Sequence, residues 1–266
     1  MKSTTSRSLR TWGPRRLPFA LAAVCSVLAL SHLYAETFNS IQGDRRIVIG
    51  YRVNPEALQK MLPAPWQVSA TAAGPAEGAN FFVTLIERPR DEAPDATLRF
   101  NGMYSVVFRV VAKDPNTGLV GGLIVGGFGQ TASSGYYQTN RPASFRVERA
   151  INAHDDVETI AENWTVEGKG PGERLEVRLE STPDGKSRTR DKGETNVISA
   201  KNTALWRIYR FESTTDVVKS VPKTIDRMKS FSLKLTSPEF GALFNGSEKL
   251  VGINFQPWYL RQTFLK

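Results

Sequence analysis

The sequence predicts a mainly β protein, a closed or sandwiched antiparallel barrel or cone with a few short helices. Three observations predict it. Short runs rich in β-branched and aromatic residues recur along the chain. Turn signals built from Pro, Gly, Asn and Asp separate them. Helical periodicity is confined to a few brief stretches. Many strands at short spacing with few helices point to a barrel or sandwich.

The strands follow in order. Arg46–Val53 is β-rich. Asn54 then caps a short helix, with Pro55 suited to its first turn and Glu56 to its positive end. Ala57, Leu58, Met61 and Leu62 give that helix an apolar side, and Pro63-Ala64-Pro65 ends it before Trp66. Asn80–Glu87 is the next strand. Met103–Ala112 and Leu119–Phe128 form a hairpin across Asp114-Pro115-Asn116-Thr117-Gly118. Ser144–Ala150, Val157–Val166, Arg174–Ser181, Thr195–Ser199 and Leu205–Phe211 continue the series, with a turn at Pro183–Lys186. Phe231–Leu235 and Trp258–Phe264 complete it. Short helices are expected at Asp216–Arg227 and Pro238–Phe244, and an exposed loop at Gly185–Gly193. The glycines at 121–122 and 126–129 lack the following helix and the Lys-Ser/Thr ending of a phosphate loop, so bulges or close backbone approaches explain them.

Residues 1–35 have the order of a secretory signal: a basic start, an apolar run over Leu17–Leu30, and Ala35 as the last residue before cleavage. The run is too short for an ordinary spanning helix, with an uncleaved anchor as the alternative. Arg15-Arg16 fits an ordinary basic start better than a twin-arginine signal. Cys25 is followed by more apolar residues, against lipid attachment. The expectation is a periplasmic or secreted protein with one domain over residues 36–266 and no membrane span after cleavage.

This division changes what composition implies. The signal carries five of the positive charges and no acidic residue, so +4 of the net +9 remains after it. No basic stripe interleaved with aromatics remains, which argues against a nucleic-acid partner. Cys25 is the only cysteine, and His32 one of two histidines; His154 is left in a polar loop-like stretch. Thiol chemistry and histidine-rich metal sites are thereby excluded from the remainder. No cofactor and no metal is expected; an oligomer is compatible with the sequence.

One stretch is more specific than its composition. Ile49 to Trp66, with Asn54-Pro55-Glu56-Ala57 and Leu62-Pro63-Ala64-Pro65-Trp66 inside it, resembles the opening of acetoacetate-decarboxylase-like domains. The resemblance implies a β-rich barrel or cone around a small cavity. In decarboxylases of that family a buried lysine of lowered pKa forms a Schiff base with a β-keto acid. The corresponding region here, Ser134–Arg146, contains no lysine. Arginine cannot replace it, because it stays protonated.

Candidate site residues are therefore weighed individually. Tyr136, Tyr137, Asn140 and Arg141, with Gln138 among them, could grip a carboxylate, or else form a surface loop. Arg109 alternates with apolar residues, as do Arg146 and Glu148, while Glu87 and Arg88 close a strand. Such alternation marks a solvent face in an open sheet and an interior lining in a closed one. Lys201 is the fallback Schiff-base residue. The expected function is binding of a small keto-acid-like ligand, with a lyase reaction as an extension. The alternative is a non-catalytic periplasmic carrier or sensor of an apolar molecule.

Overall fold

The structure, a computed structural model, describes residues 36–100, 102–131, 135–155, 157–183 and 188–266. The expected signal lies outside them. Among the described residues fourteen strands and one short α-helix follow in chain order. The strands are β1 (Thr37–Arg52), β2 (Gln67–Val68), β3 (Phe81–Glu92), β4 (Leu98–Phe100), β5 (Met103–Lys113), β6 (Val120–Gly129) and β7 (Asn140–His154), followed by β8 (Val157–Gly168), β9 (Arg174–Ser181), β10 (Arg188–Ser199), β11 (Trp206–Ser220), β12 (Ile225–Asp226), β13 (Met228–Thr236) and β14 (Lys249–Leu265). Helix α1 (Pro55–Gln59) starts as the sequence implies: the Asn54 side chain accepts from the Glu56 and Ala57 amides.

The strand pairings return on themselves. Starting from β6 the hydrogen-bonded neighbours are β10, β11, β14, β1, β3 and β5, and β5 pairs back with β6. Seven strands thus form a ring. All of its pairings are antiparallel except β6–β10, which is parallel at Val197–Ser199. The second half of β6 pairs in parallel with the start of β7, and a four-stranded sheet continues through β8 and β9 to β13. This sheet lies against the outside of the ring, so the architecture is closed in one part and sandwiched in the other.

Alternation along the ring strands explains both faces. Ile47 and Ile49 on β1, Val83 and Leu85 on β3, and Val106, Phe108 and Val110 on β5 point outward. They pack against Trp164, Val166, Leu175 and Val177 of the second sheet. Phe108 is edge-on to Phe128 and Phe240. The close approach of Phe240 requires glycine at position 126, where a Cβ would come within 2.5 Å of its ring. A bulge opposite Phe108/Arg109 falls in the same glycine-rich strand. The intervening residues of the ring strands point inward and build the site.

Three expectations are corrected. Asp216–Arg227 is not a helix: β11 runs on to Ser220, a turn follows, and Ile225–Asp226 is a bridge strand. The run Thr214, Thr215, Val217, Val218 is β-branched and sits between β10 and β14, where pairing and burial decide. Pro238–Phe244 holds only a 3₁₀ turn at Gly241–Leu243, which seats buried Phe240 and Leu243 on the core. The expected loop at Gly185–Gly193 is strand from Arg188 onward. Its two arginines are matched across the pair, Arg188 to Asp216 at 2.8 Å and Arg190 to Glu212. The strands at both termini, and β7, are also longer than the apolar runs indicated. No helix among the described residues is long and apolar enough to cross a membrane.

Candidate functional site

Inside the ring is a pocket of about 630 Å³. Every ring strand contributes to it at two-residue spacing: Gln42, Arg46 and Val48 from β1, Thr84, Ile86 and Arg88 from β3, Ser105, Val107 and Arg109 from β5. Ile124 comes from β6, Thr195 and Val197 from β10, Arg207, Tyr209 and Phe211 from β11, and Tyr259 and Arg261 from β14. The segment before β7 adds Tyr136 and Tyr137, and β7 itself adds Asn140.

The charge is one-sided. Arg46, Arg88, Arg99, Arg109, Arg207 and Arg261 line the pocket, against Asp91 among the lining residues and Asp44 behind them. Asp44 is fully buried and serves three arginines: Arg46 at 2.5 Å, Arg88 at 2.6 Å and Arg261 at 3.2 Å. Burial alone would raise its pKa. The Arg261, Arg88 and Arg46 guanidinium groups outweigh that and hold it well below the usual carboxylate range. Asp91 accepts from Gln42 Nε2 at 2.6 Å and faces Arg88 at 3.9 Å.

Three pocket arginines have no carboxylate partner among the described residues: Arg99, which is exposed and donates to the Asn39 carbonyl, and the two inner ones, Arg109 and Arg207. The Arg109 guanidinium lies 4.6 Å from the centre of the Phe82 ring. Its Nε is buried without a hydrogen-bond partner. Its stem passes over Gly122, where a Cβ would come within 2.5 Å of Arg109 Cδ. Burial lowers its pKa to about 10, with repulsion from Arg46 adding to the effect, so it stays charged near neutrality. The Arg207 guanidinium stacks 3.8 Å from the Tyr136 ring centre, and its Nε is likewise buried and unpartnered.

A tyrosine pair lies beside Arg207. Tyr137 Oη and Tyr209 Oη are 2.7 Å apart. The Arg261 guanidinium sits 4.2 Å from the Tyr209 ring centre. Burial would raise the Tyr209 pKa, but Arg261 and Arg207 reverse this and lower it. Tyr137 is raised by burial and by its partner. Tyr137 is fixed through its backbone: its carbonyl accepts from Ser199 Oγ at 2.6 Å, and the same hydroxyl caps the Lys201 and Asn202 amides.

Of the sequence candidates, Tyr136, Tyr137, Asn140 and Arg109 line the pocket. Arg141 lies away from it, paired with Glu173 at 2.6 Å and with Glu239. Glu87 points to the outer face of β3. It meets Arg149 at 2.5 Å and Arg45 at 4.0 Å, next to the fully buried Glu162. Lys201 is exposed beyond the end of β10. Among the described residues no lysine lines the pocket. Among the described residues no cluster of His, Cys, Asp and Glu could hold a metal ion. Sequence reasoning missed Asp44, Arg46, Arg207, Tyr209, Tyr259 and Arg261. Their signal was the same two-residue alternation that marked Arg109, present in Asp44-x-Arg46, Arg207-x-Tyr209 and Tyr259-x-Arg261.

The fold is that of the acetoacetate-decarboxylase-like proteins. The structure is similar to the enduracididine biosynthesis enzyme MppR, solved with the condensation product of pyruvate and imidazole 4-carboxaldehyde. That match has 10% identity and a TM-score of 0.51, over 85% of this chain and 87% of the other. It is also similar to an acetoacetate decarboxylase-like enzyme from Sphingomonas wittichii RW1, with 12% identity and a TM-score of 0.50, over 86% and 90% of the two chains. No family model and no curated protein matches the sequence.

Proposed function

We propose that this is an exported protein that binds a small organic acid of the 2-oxo acid type inside the seven-stranded ring. The observation that carries the reading is the pair Arg109 and Arg207, two guanidinium groups facing the pocket with no carboxylate to neutralise them. An uncompensated buried charge is costly, and a carboxylate ligand relieves it with a charge-assisted, two-pronged hydrogen bond. Val48, Ile86, Val107, Ile124, Val197 and Phe211 supply apolar lining for the rest of the ligand. The volume lies within the range of small-molecule sites. The similar MppR structure, with a pyruvate-derived product bound, supports the choice of acid.

Among the described residues no lysine in the lining offers a nucleophile for imine formation. Binding is therefore the function proposed, in place of a Schiff-base lyase reaction. Export is supported by the charge, apolar and small-residue order of residues 1–35.

Calorimetric titration with pyruvate and 2-oxohexanoate tests the reading. At least one acid binds the wild type, and Arg109→Met or Arg207→Met weakens it roughly tenfold or more, the cost of one charged hydrogen bond. Equal affinity in both variants contradicts it. Sequencing of the secreted protein's N-terminus tests export, with Glu36 as the expected first residue.

A further inference from the structure

Tyr209 occupies a place in the pocket that binding alone does not require. Its hydroxyl accepts from or donates to Tyr137 at 2.7 Å, at the end of a chain that begins in the Ser199 hydroxyl and fixes the Tyr137 backbone. Its ring lies beneath Arg261. Arg207, two residues away on the same strand and the same face, lines the same pocket, acts electrostatically on Tyr209 and has an Nε buried without a partner. The charged and titratable groups facing Tyr209 come from four elements: Arg207 on its own strand β11, Arg261 on β14, Arg88 on β3, and Tyr136 and Tyr137 before β7. Three of these five are cations, and none is a carboxylate. Asp44 reaches the group only through Arg88 and Arg261.

We infer that Tyr209 is a general base and acid that moves a proton at the carbon next to the carbonyl of a 2-oxo acid held by Arg207, with Tyr137 as its positioning residue. The inference rests on the binding reading above. The step needs no imine and no co-reactant. The Tyr209 phenolate takes the α-proton. The C–H electron pair becomes the new C=C bond, and the carbonyl π pair moves onto oxygen as an enolate. The Arg207 guanidinium stabilises that charge as it develops. Return of a proton from Tyr209 to the same carbon restores the acid and the phenolate. Atoms and electrons balance, and the observable result is exchange of the α-hydrogens with solvent. Against the effect of burial, Arg261 and Arg207 lower the Tyr209 pKa, and the hydrogen bond with Tyr137 works in the same direction, so the phenolate is easier to reach here than in a free tyrosine.

The experiment follows α-hydrogen exchange of pyruvate and 2-oxohexanoate into deuterated water by NMR, with binding of the same acids measured in the same samples. The wild type exchanges at least one acid well above the buffer rate. Tyr209→Phe loses about 100-fold or more of that rate while still binding the acid. Tyr137→Phe removes the hydrogen bond to the phenolate, so the midpoint of the pH–rate profile moves to higher pH, a shift that a merely structural role would not produce. Ultraviolet titration of the phenolate, compared with the Tyr209→Phe protein, gives the same midpoint without a substrate. Binding without exchange, or full exchange in folded Tyr209→Phe, overturns the inference and leaves the binding reading standing. If neither acid binds or exchanges, both fail.

Discussion

The two faces of the ring strands are made from neighbouring residues and obey opposite rules. On the outside of β5, Val106, Phe108 and Val110 are fully buried against a second sheet. On the inside, Ser105, Val107 and Arg109 border open volume. On β1, Ile47 and Ile49 belong to the core, while Asp44 and Arg46 belong to a charged network. The outer face is packed for stability, and its buried Glu162 is held by Arg45, Arg149 and Trp164. The inner face keeps unpartnered polar atoms on Arg109, Arg207 and Arg261. A fold tolerates such atoms where a ligand satisfies them. Substitutions on the two faces therefore separate stability from binding.

Trp164→Ala carries the largest expected effect. It empties a fully buried site in the outer core and removes the bond from Trp164 Nε1 to Glu162 at 3.0 Å. A loss of about 3–5 kcal/mol is expected in denaturant unfolding. A loss below about 1 kcal/mol would break the claim that this face holds the protein together.

Asp44→Asn is the inner-face counterpart, expected to cost about 3 kcal/mol because three arginines lose their shared anion. The pH dependence has a definite sign. The folded carboxylate titrates below its unfolded value, so its contribution is complete above about pH 4 and declines as pH falls below that. Unfolding curves from pH 7 to pH 2 should therefore lose less stability in Asp44→Asn than in the wild type. Parallel curves would remove Asp44 from its proposed place.

Arg109→Met sharpens the contrast. Replacing an unpaired buried cation with an apolar side chain of similar length should raise stability by about 1 kcal/mol or more while weakening acid binding. A destabilised Arg109→Met protein with unchanged binding would reverse the assignment of the inner face. Glu87→Ala is the smallest change, under about 1 kcal/mol with binding unaffected, because Glu87 is partly exposed and lies outside the pocket.

Much of the fold was legible because the outer face writes its pattern in apolar residues. The helix start at Asn54-Pro55-Glu56 and the hairpin across Asp114–Gly118 carry local chemistry that tertiary structure leaves intact. The ends of β1 and β14 were not legible. Ser40, Gln42 and Thr263 face the polar interior of the ring, so the strands continue where apolar alternation stops. The Asp216–Arg227 segment failed for a related reason: a helix was expected there, yet Asp216 anchors Arg188 across a strand pair. The site was half legible. Alternation exposed Arg109 as a candidate but could not separate an interior lining from a solvent face, since closure of the ring depends on β5 meeting β6 and β1 meeting β14. Arg207, Tyr209 and Arg261 carry the same pattern and become a site only when the paired strands β11 and β14 turn these residues into the ring.

The central claim is that the ring interior selects a negative charge. Calorimetry with 2-oxohexanoate and its neutral amide, on the wild type and on Arg109→Met/Arg207→Met, tests it most directly. The account predicts that the acid binds the wild type, that the amide binds at least tenfold more weakly, and that the double variant no longer distinguishes them. Equal binding of acid and amide to the wild type would contradict it.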